Sequence, residues 1–399
     1  MRQTVREIVL RQRPPGAAEQ LLRGHPWVWR ETIASGLDAA VIGEEVQVIS
    51  GDGSAVGRGL VDPTSPIAVR VWTRERKPID PALLESRAMR ACAVRAALLD
   101  FEQTNAFRVV HGEGDRMPGF VVDRYGSVAV ARTDGEAAAS RVGELADAIG
   151  PSLESWGVRS FVHRIATPRN KGEAPRFDLL RGGPPPDVVH VREHGVPFVV
   201  DLKRGQKTGA FLDQRDNRRL VGQLARGRRV LNLFSYAGGF SLHAALGGAA
   251  HVTSVDIAAA AHATAQASFR LANLDPSVHR FVAADVSGFL DGARRRGDRW
   301  DLIVSDPPSF APSEKALGRA LSAYRALHRG CAEVLAPEGV LCASSCSSHV
   351  DAQAFLGTLD DVALGGRALS VLELRQAGPD HPTLAAFPEG RYLKFAVLA

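Results

Sequence analysis

Cysteine is scarce in this chain. Cys92, Cys331, Cys342 and Cys346 are the four in 399 residues, and no two form a C-x-x-C pair. That pattern argues against a disulfide framework, a structural zinc site and thioredoxin-like redox chemistry, and no metal site is predicted. No apolar run approaches the ~20 residues that a helix needs to cross a bilayer. The first residues, MRQTVREIVLRQR, place a charge every few positions where a secretion signal would need an apolar stretch, so a cytoplasmic protein with no membrane association is predicted. There is no internal repeat of ~20–50 residues and no low-complexity tract. Lysine is rare, with six against 43 arginines, which composition bias explains.

What is present is the profile of a soluble globular protein: 45% hydrophobic residues and 23% charged ones. At ~150 residues per domain, the length allows two or three cores. The net charge of +5 and pI of about 9.2 favour a polyanionic partner. The excess is concentrated at the start, where Arg2, Arg6, Arg11, Arg13, Arg23 and Arg30 face only Glu7 and Glu19. A solvated basic face explains the same charge equally well.

Three regions are expected. Residues 1–75 read as short strands (VREIVL, EEVQVIS, SPIAVRVW) around a Gly-rich turn, GDGSAVGRG, which suggests a small β-barrel-like module. Residues 76–187 read as an α+β domain. It has a helix from Ala82 to Gln103, strands at Arg108–His111 and Gly119–Asp123, a helix from Gly135 to Ile149 and a strand at Ser160–Arg164. The connection RGGPPPD, Arg181 to Asp187, marks its end. From 188 to 399, strands at 229–235, 251–257, 279–285, 300–306 and 339–346 alternate with helical segments such as Glu314–Leu335 and Asp351–Leu364. That alternation is the α/β class with a doubly wound parallel sheet. The last two runs, ALSVLELRQ and GRYLKFAVLA, are joined by a connector holding Pro379, Pro382 and Pro388, so they should pair antiparallel without a crossover helix. A parallel sheet ending in such a hairpin is the arrangement of S-adenosylmethionine-dependent methyltransferases and is unusual among nicotinamide dehydrogenases.

Ligands of open α/β sheets bind beyond the carboxyl ends of the strands. There the first strand runs into Phe234-Ser235-Tyr236-Ala237-Gly238-Gly239, whose glycines would let backbone approach a ligand; a diglycine is also a common structural turn. Asp256 ends the second strand, 17 residues after Gly239, where a carboxylate can accept ribose hydroxyls. Asp285 ends the third strand, placed for an adenine amino group, and Asp306 ends the fourth. With no G-x-G-x-x-G, a nucleoside-type cofactor such as S-adenosyl-L-methionine fits better than a dinucleotide. Asp306-Pro307-Pro308-Ser309-Phe310 is like the D-P-P-aromatic loops of methyltransferases that act on base amino groups, with a plain strand-end turn as the alternative. Strand alternation sets Cys342 and Cys346 on one face, Cys346 at the mouth of the crevice near Asp306. Cys92, Cys331 and Cys342 read as inert packing.

That pair of residues suits one reaction. Carbon 5 of cytosine is a poor nucleophile until a thiolate adds to carbon 6; methyl transfer, loss of the carbon 5 proton and expulsion of sulfur then complete the exchange. Asp306 would grip the cytosine N3/N4 edge, and a basic crevice would help the thiol ionise.

Beyond single residues, the chain resembles the RlmI-type large-subunit rRNA (cytosine-5) methyltransferases, nearly end to end. LLRGHPWVW (Leu21–Trp29) is similar to the family's PUA module. NAFRVVHGEGDRMPGFVVDRYG (Asn105–Gly126) is similar to its central domain, and GQKTGAFLDQRDNR (Gly205–Arg218) to its most distinctive stretch. LNLFSYAGGFS, SVDI, SDPPSF, SSCSSH and AFPEGRYLK follow in the family's order. The resemblance implies that Phe211, Asp213, Gln214, Phe234, Ser235, Gly238, Gly239, Asp256, Asp285 and Asp306 surround the cofactor. It implies Cys346 as nucleophile, with Lys207 and Arg215 on RNA phosphate. A second cysteine beside the D-P-x proline, used by another class of RNA cytosine-5 enzymes, is replaced here by Ser309.

The function this implies is 5-methylcytosine formation in 23S rRNA, on naked rRNA or an assembly particle, with a homodimer as a further expectation. Arg2, Arg11, Arg13, Arg23, Arg70 and Arg74 would add salt-sensitive phosphate contacts. Trp27 and Trp29 either stack on bases or pack the barrel, packing being favoured. Arg294-Arg295-Arg296 reads as a solvated helix end. Three other readings stay open: a guanine-N7 methyltransferase on the same sheet, a nicotinamide-dependent oxidoreductase, and a non-catalytic RNA-binding or ribosome assembly protein.

Overall fold

A computed structural model describes residues 5–12, 16–165 and 175–399. The chain forms two compact units. One comprises Met1–Val189, Leu202–Ala210 and Pro379–Gly390; the other comprises His190–Asp201, Phe211–Gly378 and Arg391–Ala399. Among the described residues no helix is long and apolar enough to cross a membrane.

The first unit carries two sheets. In the six-stranded one, the order is Trp27–Trp29, Ile67–Thr73, Ala55–Val61, Glu45–Ile49, Arg6–Leu10, Ile33–Ser35. Neighbours run antiparallel except Arg6–Leu10 with Glu45–Ile49. Alternation is plain in Glu45–Ile49, where Val46 and Val48 are buried between half-buried neighbours. The stretch GDGSAVGRG is not all turn, because Ala55–Val61 is a strand inside this sheet. A Cβ on Gly59 would come within 2.4 Å of the Arg70 carbonyl oxygen, so this glycine admits a close neighbouring strand.

The five-stranded sheet has the order Arg176–Gly182, Ser160–Ile165, Val128–Thr133, Phe120–Tyr125, Ala106–His111. Phe107, Phe120 and Val122 pack with Leu145, Ile149 and Leu153 of the helix Val142–Ser155. The helix Pro81–Leu98 begins with proline at its first position, and the Asp80 carboxylate accepts from the Leu83 N–H at 2.9 Å. It stops short of Gln103 because Asp100 accepts from the Glu102 N–H at 2.9 Å and turns the chain. The helix expected over 135–149 is two, Glu136–Ala139 and Val142–Ser155.

The second unit is built on a seven-stranded sheet. Its order is Arg280–Ala283, His251–Asp256, Arg229–Leu233, Trp300–Ser305, Leu335–Ser345, Lys394–Leu398, Val371–Arg375. The first five are parallel and the last two pairings antiparallel. The final antiparallel pair, joined without an α-helix, is therefore present. The period of two separates two cores: Leu231, Leu233, Ile303, Leu341 and Ala343 face one side, and Val230, Leu302, Val304, Val340 and Cys342 face the other. Asp351–Leu364 is not one helix; only Ala352–Leu356 is helical, followed by turns. Strand order reverses between Arg229–Leu233 and Trp300–Ser305, and a doubly wound sheet takes its ligands at the carboxyl side of that point.

Candidate active site

The loop after Arg229–Leu233 is conformationally strained. Phe234 (φ 56°) and Tyr236 (φ 45°) occupy the left-handed region without being glycine, as does Gly238 at φ 75°. Asp256 holds the loop, accepting from the Tyr236 N–H and the Ala258 N–H at 2.8 Å each. Each carboxylate oxygen retains lone-pair capacity for a ligand hydroxyl. The diglycine has a packing cause as well. A Cβ on Gly238 would stand 2.7 Å from Ala265 Cβ, and one on Gly239 would stand 2.7 Å from Arg218 Cδ. Asp285 is exposed and caps the helix Val286–Arg296 by accepting from Gly288 N–H at 2.9 Å. Ile257, next to Asp256, is 78% exposed, which is unusual for an isoleucine. Ser235 Oγ is buried with no hydrogen-bond partner among the described residues. Strained backbone, a carboxylate, a bare apolar side chain and an unmatched hydroxyl together suit a nucleoside ligand.

The same unit holds a buried Glu193–Arg218–His243 cluster that the sequence reading passed over. Arg218 donates from Nε to Glu193 Oε1 at 2.5 Å and from Nη2 to Oε2 at 2.7 Å, and His243 Nε2 is 2.8 Å from Oε1. Burial works against the Glu193 charge, but Arg218 and His243 outweigh it and hold the carboxyl well below the usual carboxylate range. Arg218 also donates to the Phe211 carbonyl at 2.9 Å, and the Phe211 ring meets Tyr236 edge-on at 5.3 Å. A signal was available in the density of charge in LDQRDNR, a helix start whose Arg215, Asn217 and Arg218 are all buried.

Gln214 and Asp213 are buried, and each grips another strand end. Gln214 Nε2 donates to Asp306 Oδ1 at 3.0 Å and to Ser344 Oγ at 2.9 Å. Its Oε1 accepts from Asn217 at 2.7 Å, and Asn217 Oδ1 accepts from Arg375 Nε at 3.0 Å. Tyr392 donates to Asp213 Oδ2 at 2.7 Å. The structure therefore ties Gln214 to the Asp306 carboxylate.

Ser305 and Ala343 are register partners, so Asp306 and the segment Ser344–Ser347 leave adjacent strand ends. Strand alternation does not reach Cys346, the first residue after Leu335–Ser345, so the shared face expected for Cys342 and Cys346 does not apply. Cys346 is partly exposed, whereas Cys92, Cys331 and Cys342 are buried, and burial pushes those three thiols up to about 11, 12 and 12. Its loop is pinned on both sides. Tyr324 Oη donates to Ser345 Oγ at 2.9 Å and lies 3.2 Å from Ser347 Oγ, and Ser309 Oγ bonds Ser347 Oγ at 2.9 Å. Burial raises the Tyr324 hydroxyl; Cys346 and Asp306 push the same way, and its bonds to Ser345 and Ser347 only partly offset this. A thiol and a carboxylate held at neighbouring strand ends form a site for attack on a polar ring.

The residues expected on RNA are scattered in their availability. Arg11 and Arg23 are exposed; Arg13, like Arg2, lies outside the described residues. Lys207 is half-buried with φ 53°. Arg215 does not fit a phosphate contact, being 1% exposed and bonded through Nε to Asp216 at 3.1 Å. Arg70 is likewise buried between Glu113 and Asp134. Trp27 packs against Trp29 and Phe387 and donates from its indole N–H to Glu113 at 2.8 Å, which accords with packing. Among the described residues no group of three or more His, Cys, Asp or Glu side chains could hold a metal ion.

Known proteins match this architecture. An S-adenosylmethionine-dependent methyltransferase profile matches residues 154–391, and a PUA-like domain profile matches 14–74. Ribosomal RNA large subunit methyltransferase I of Tolumonas auensis is 36% identical over 385 residues, covering 95% of this chain and 96% of its own. The protein of the same name from Shigella boydii is 34% identical over 381 residues, covering 95% and 96%. Among solved structures, a methyltransferase complexed with SAH has the same fold with a TM-score of 0.85 at 24% identity, covering 99% of this chain and 100% of that one. A methyltransferase from Streptococcus mutans gives 0.84 at 23% identity over the same shares. The chain belongs to the S-adenosylmethionine-dependent methyltransferases and, among them, to the ribosomal RNA large subunit methyltransferase I family.

Proposed function

We propose that this chain methylates carbon 5 of a cytosine in large-subunit rRNA, with Cys346 as nucleophile and Asp306 on the base edge. The observation that carries the reading is the partly exposed Cys346, leaving the strand end next to that of Asp306 while the other three thiols are buried. S-adenosylmethionine, when bound, supplies the methyl group on a sulfonium. Asp256 would accept the ribose hydroxyls, Ser235 would donate to the ligand, and Ile257 would cover one face of the adenine, with Asp285 at its amino edge. Phe211, Asp213, Phe234, Gly238 and Gly239 would complete the wall.

In the target pocket the Cys346 sulfur bonds carbon 6 of the cytosine. The electrons of the carbon 5–carbon 6 double bond then take the methyl at carbon 5, and loss of the carbon 5 proton to water restores the double bond, breaks the carbon 6–sulfur bond and returns the Cys346 thiolate. Asp306, held by Gln214, would meet the N3/N4 edge.

RNA would be held by the PUA-like region through Arg11 and Arg23, with Lys207 as a further phosphate contact. The three-part division at 1–75, 76–187 and 188–399 assigns targeting, connection and chemistry to successive regions. A cytoplasmic homodimer acting on naked rRNA or on an assembly particle is the finer expectation. The test is methyl transfer from tritiated S-adenosylmethionine to rRNA from cells lacking the protein, with the Cys346→Ala variant beside wild type. The variant should bind cofactor normally and transfer no methyl, and RNA bearing 5-fluorocytosine should cross-link wild type at Cys346. Methylation by the variant at wild-type rate overturns the cysteine mechanism, and methyl on guanine N7 overturns the target.

A further inference from the structure

A thiolate at Cys346 would sit near negative charge. Asp306 and Cys346 both bear on the Tyr324 hydroxyl, and Asp351 opens the short helix that follows the Cys346 loop. Like charges disfavour a second anion, so a cation has to compensate. The sequence offered only a generally basic crevice. The fold offers a particular side chain.

Lys394 begins the antiparallel strand Lys394–Leu398 and is the register partner of Ser345, the residue before Cys346. It is 3% exposed. Its Nζ donates to the Ser347 carbonyl at 2.7 Å and to the Tyr392 carbonyl at 2.7 Å. The ammonium is thus fixed on the backbone immediately after the nucleophile, while its own strand partner lies immediately before it. Both bonds go to neutral carbonyls, so the charge is oriented without being cancelled. An ammonium has three N–H donors, and these bonds use two of them.

Burying an ammonium is unfavourable without negative charge nearby. Desolvation lowers the Lys394 ammonium to about 8, while the negative charges of Cys346 and Asp351 act in the opposite direction. Lys394 therefore remains mostly protonated at neutral pH. Tyr324, whose hydroxyl is raised, stays neutral there and adds no charge of its own.

Resting on the reading of Cys346 as nucleophile, we propose that Lys394 is a positioning residue whose carbonyl-anchored ammonium stabilises the Cys346 thiolate. The thiol proton goes to solvent and Lys394 keeps its own protons throughout. The same two hydrogen bonds fix the Ser347 backbone and with it the direction of the sulfur.

The test reads the thiol itself. Full-length wild type, Lys394→Met and Lys394→Gln are alkylated with iodoacetamide between about pH 6 and 9.5, and modification of the Cys346 peptide is followed by mass spectrometry. The other three thiols are buried and raised, so they contribute little signal. Both variants should react about tenfold more slowly than wild type near pH 7 and converge with it at the alkaline end, where a thiol ionises unaided. Glutamine retains a hydrogen bond to the carbonyls but carries no charge, so a purely structural role predicts wild-type alkylation for Lys394→Gln, and that result overturns the inference. Should both variants unfold in a thermal melt, wild type decides alone: a profile half-maximal at or above the ordinary cysteine value of about 8.5 overturns the inference. Failure here is distinguishable from failure of the nucleophile reading. Methylation by Cys346→Ala removes the nucleophile, whereas superimposed alkylation profiles with an inactive Cys346→Ala remove only the role of Lys394.

Discussion

Replacing Glu193 by alanine would leave a guanidinium stranded in the second unit. The Arg218 side chain is 8% exposed and that of Glu193 2%, and two N–H···O bonds join them, with His243 supplying a third contact to the carboxylate. Removing one partner of such a buried pair costs about 3–5 kcal/mol, because the remaining charge keeps its desolvation penalty and loses its compensation. That is a large part of the roughly 5–15 kcal/mol by which a domain is stable. The loss should also reach the cofactor loop, since Arg218 donates to the Phe211 carbonyl and its Cδ lies 2.7 Å from where a Cβ of Gly239 would stand. Urea unfolding followed by circular dichroism, together with calorimetry of S-adenosylmethionine binding, should show a lower midpoint and weaker binding. The pH dependence has a definite sign. Glu193 has a depressed carboxyl, so its contribution is present above the unfolded value of about 4.3 and fades as pH falls towards the folded value. The variant should therefore lose less stability on acidification than wild type. A destabilisation below about 1 kcal/mol, the range of an exposed pair, would refute the claim that this triad supports the site.

Two further outcomes follow from single positions. Gly238→Ala should weaken S-adenosylmethionine binding in calorimetry and lower stability by about 1–3 kcal/mol, because alanine at φ 75° is strained and its Cβ would meet Ala265 at 2.7 Å. His328 is buried against Tyr324; its Nδ1 is 3.0 Å from the Thr358 carbonyl, while Nε2 has no hydrogen-bond partner among the described residues. Burial lowers its imidazolium to about 4. The unfolded chain therefore takes up a proton near pH 6.5 that the fold refuses, and stability should fall between about pH 6.5 and 4 by up to about 3 kcal/mol. Unfolding free energies of wild type and His328→Gln across that interval check this, and parallel curves would contradict it.

Much of the second unit could be read from order and period. Five apolar runs each ending near a polar residue located the parallel strands, and Pro379, Pro382 and Pro388 marked the return to Lys394–Leu398 without an α-helix. The single-strand view failed where spacing depends on a neighbour. Gly57 and Gly59 look like turn residues until the adjacent Ile67–Thr73 strand is in place, and the close neighbours Ala265 and Arg218 give Gly238 and Gly239 a packing reason that spacing alone does not show. Charge misled in the same way. Arg70 and Arg215 contribute to a basic composition, but their guanidinium groups are turned inward to carboxylates, so formal charge overstated the basic surface.

The least legible part of the site was how its groups are held, because the supporting side chains come from remote sequence. Gln214 is 92 residues from Asp306, and Tyr392 is 179 from Asp213. A motif can reveal that a carboxylate and a thiol end neighbouring strands; it does not reveal what keeps two mutually repelling groups in place. Here donors do so in pairs. Gln214 binds Asp306 and Ser344 across adjacent strand ends, and Lys394 binds the carbonyls of Ser347 and Tyr392. Donors fixed before the substrate arrives need no reorganisation as charge develops, which is where enzymes obtain much of their electrostatic advantage. On the reading of Cys346 as nucleophile, the quiet residues Gln214 and Lys394, neither of them able to attack the base, are the ones on which the geometry of attack would depend.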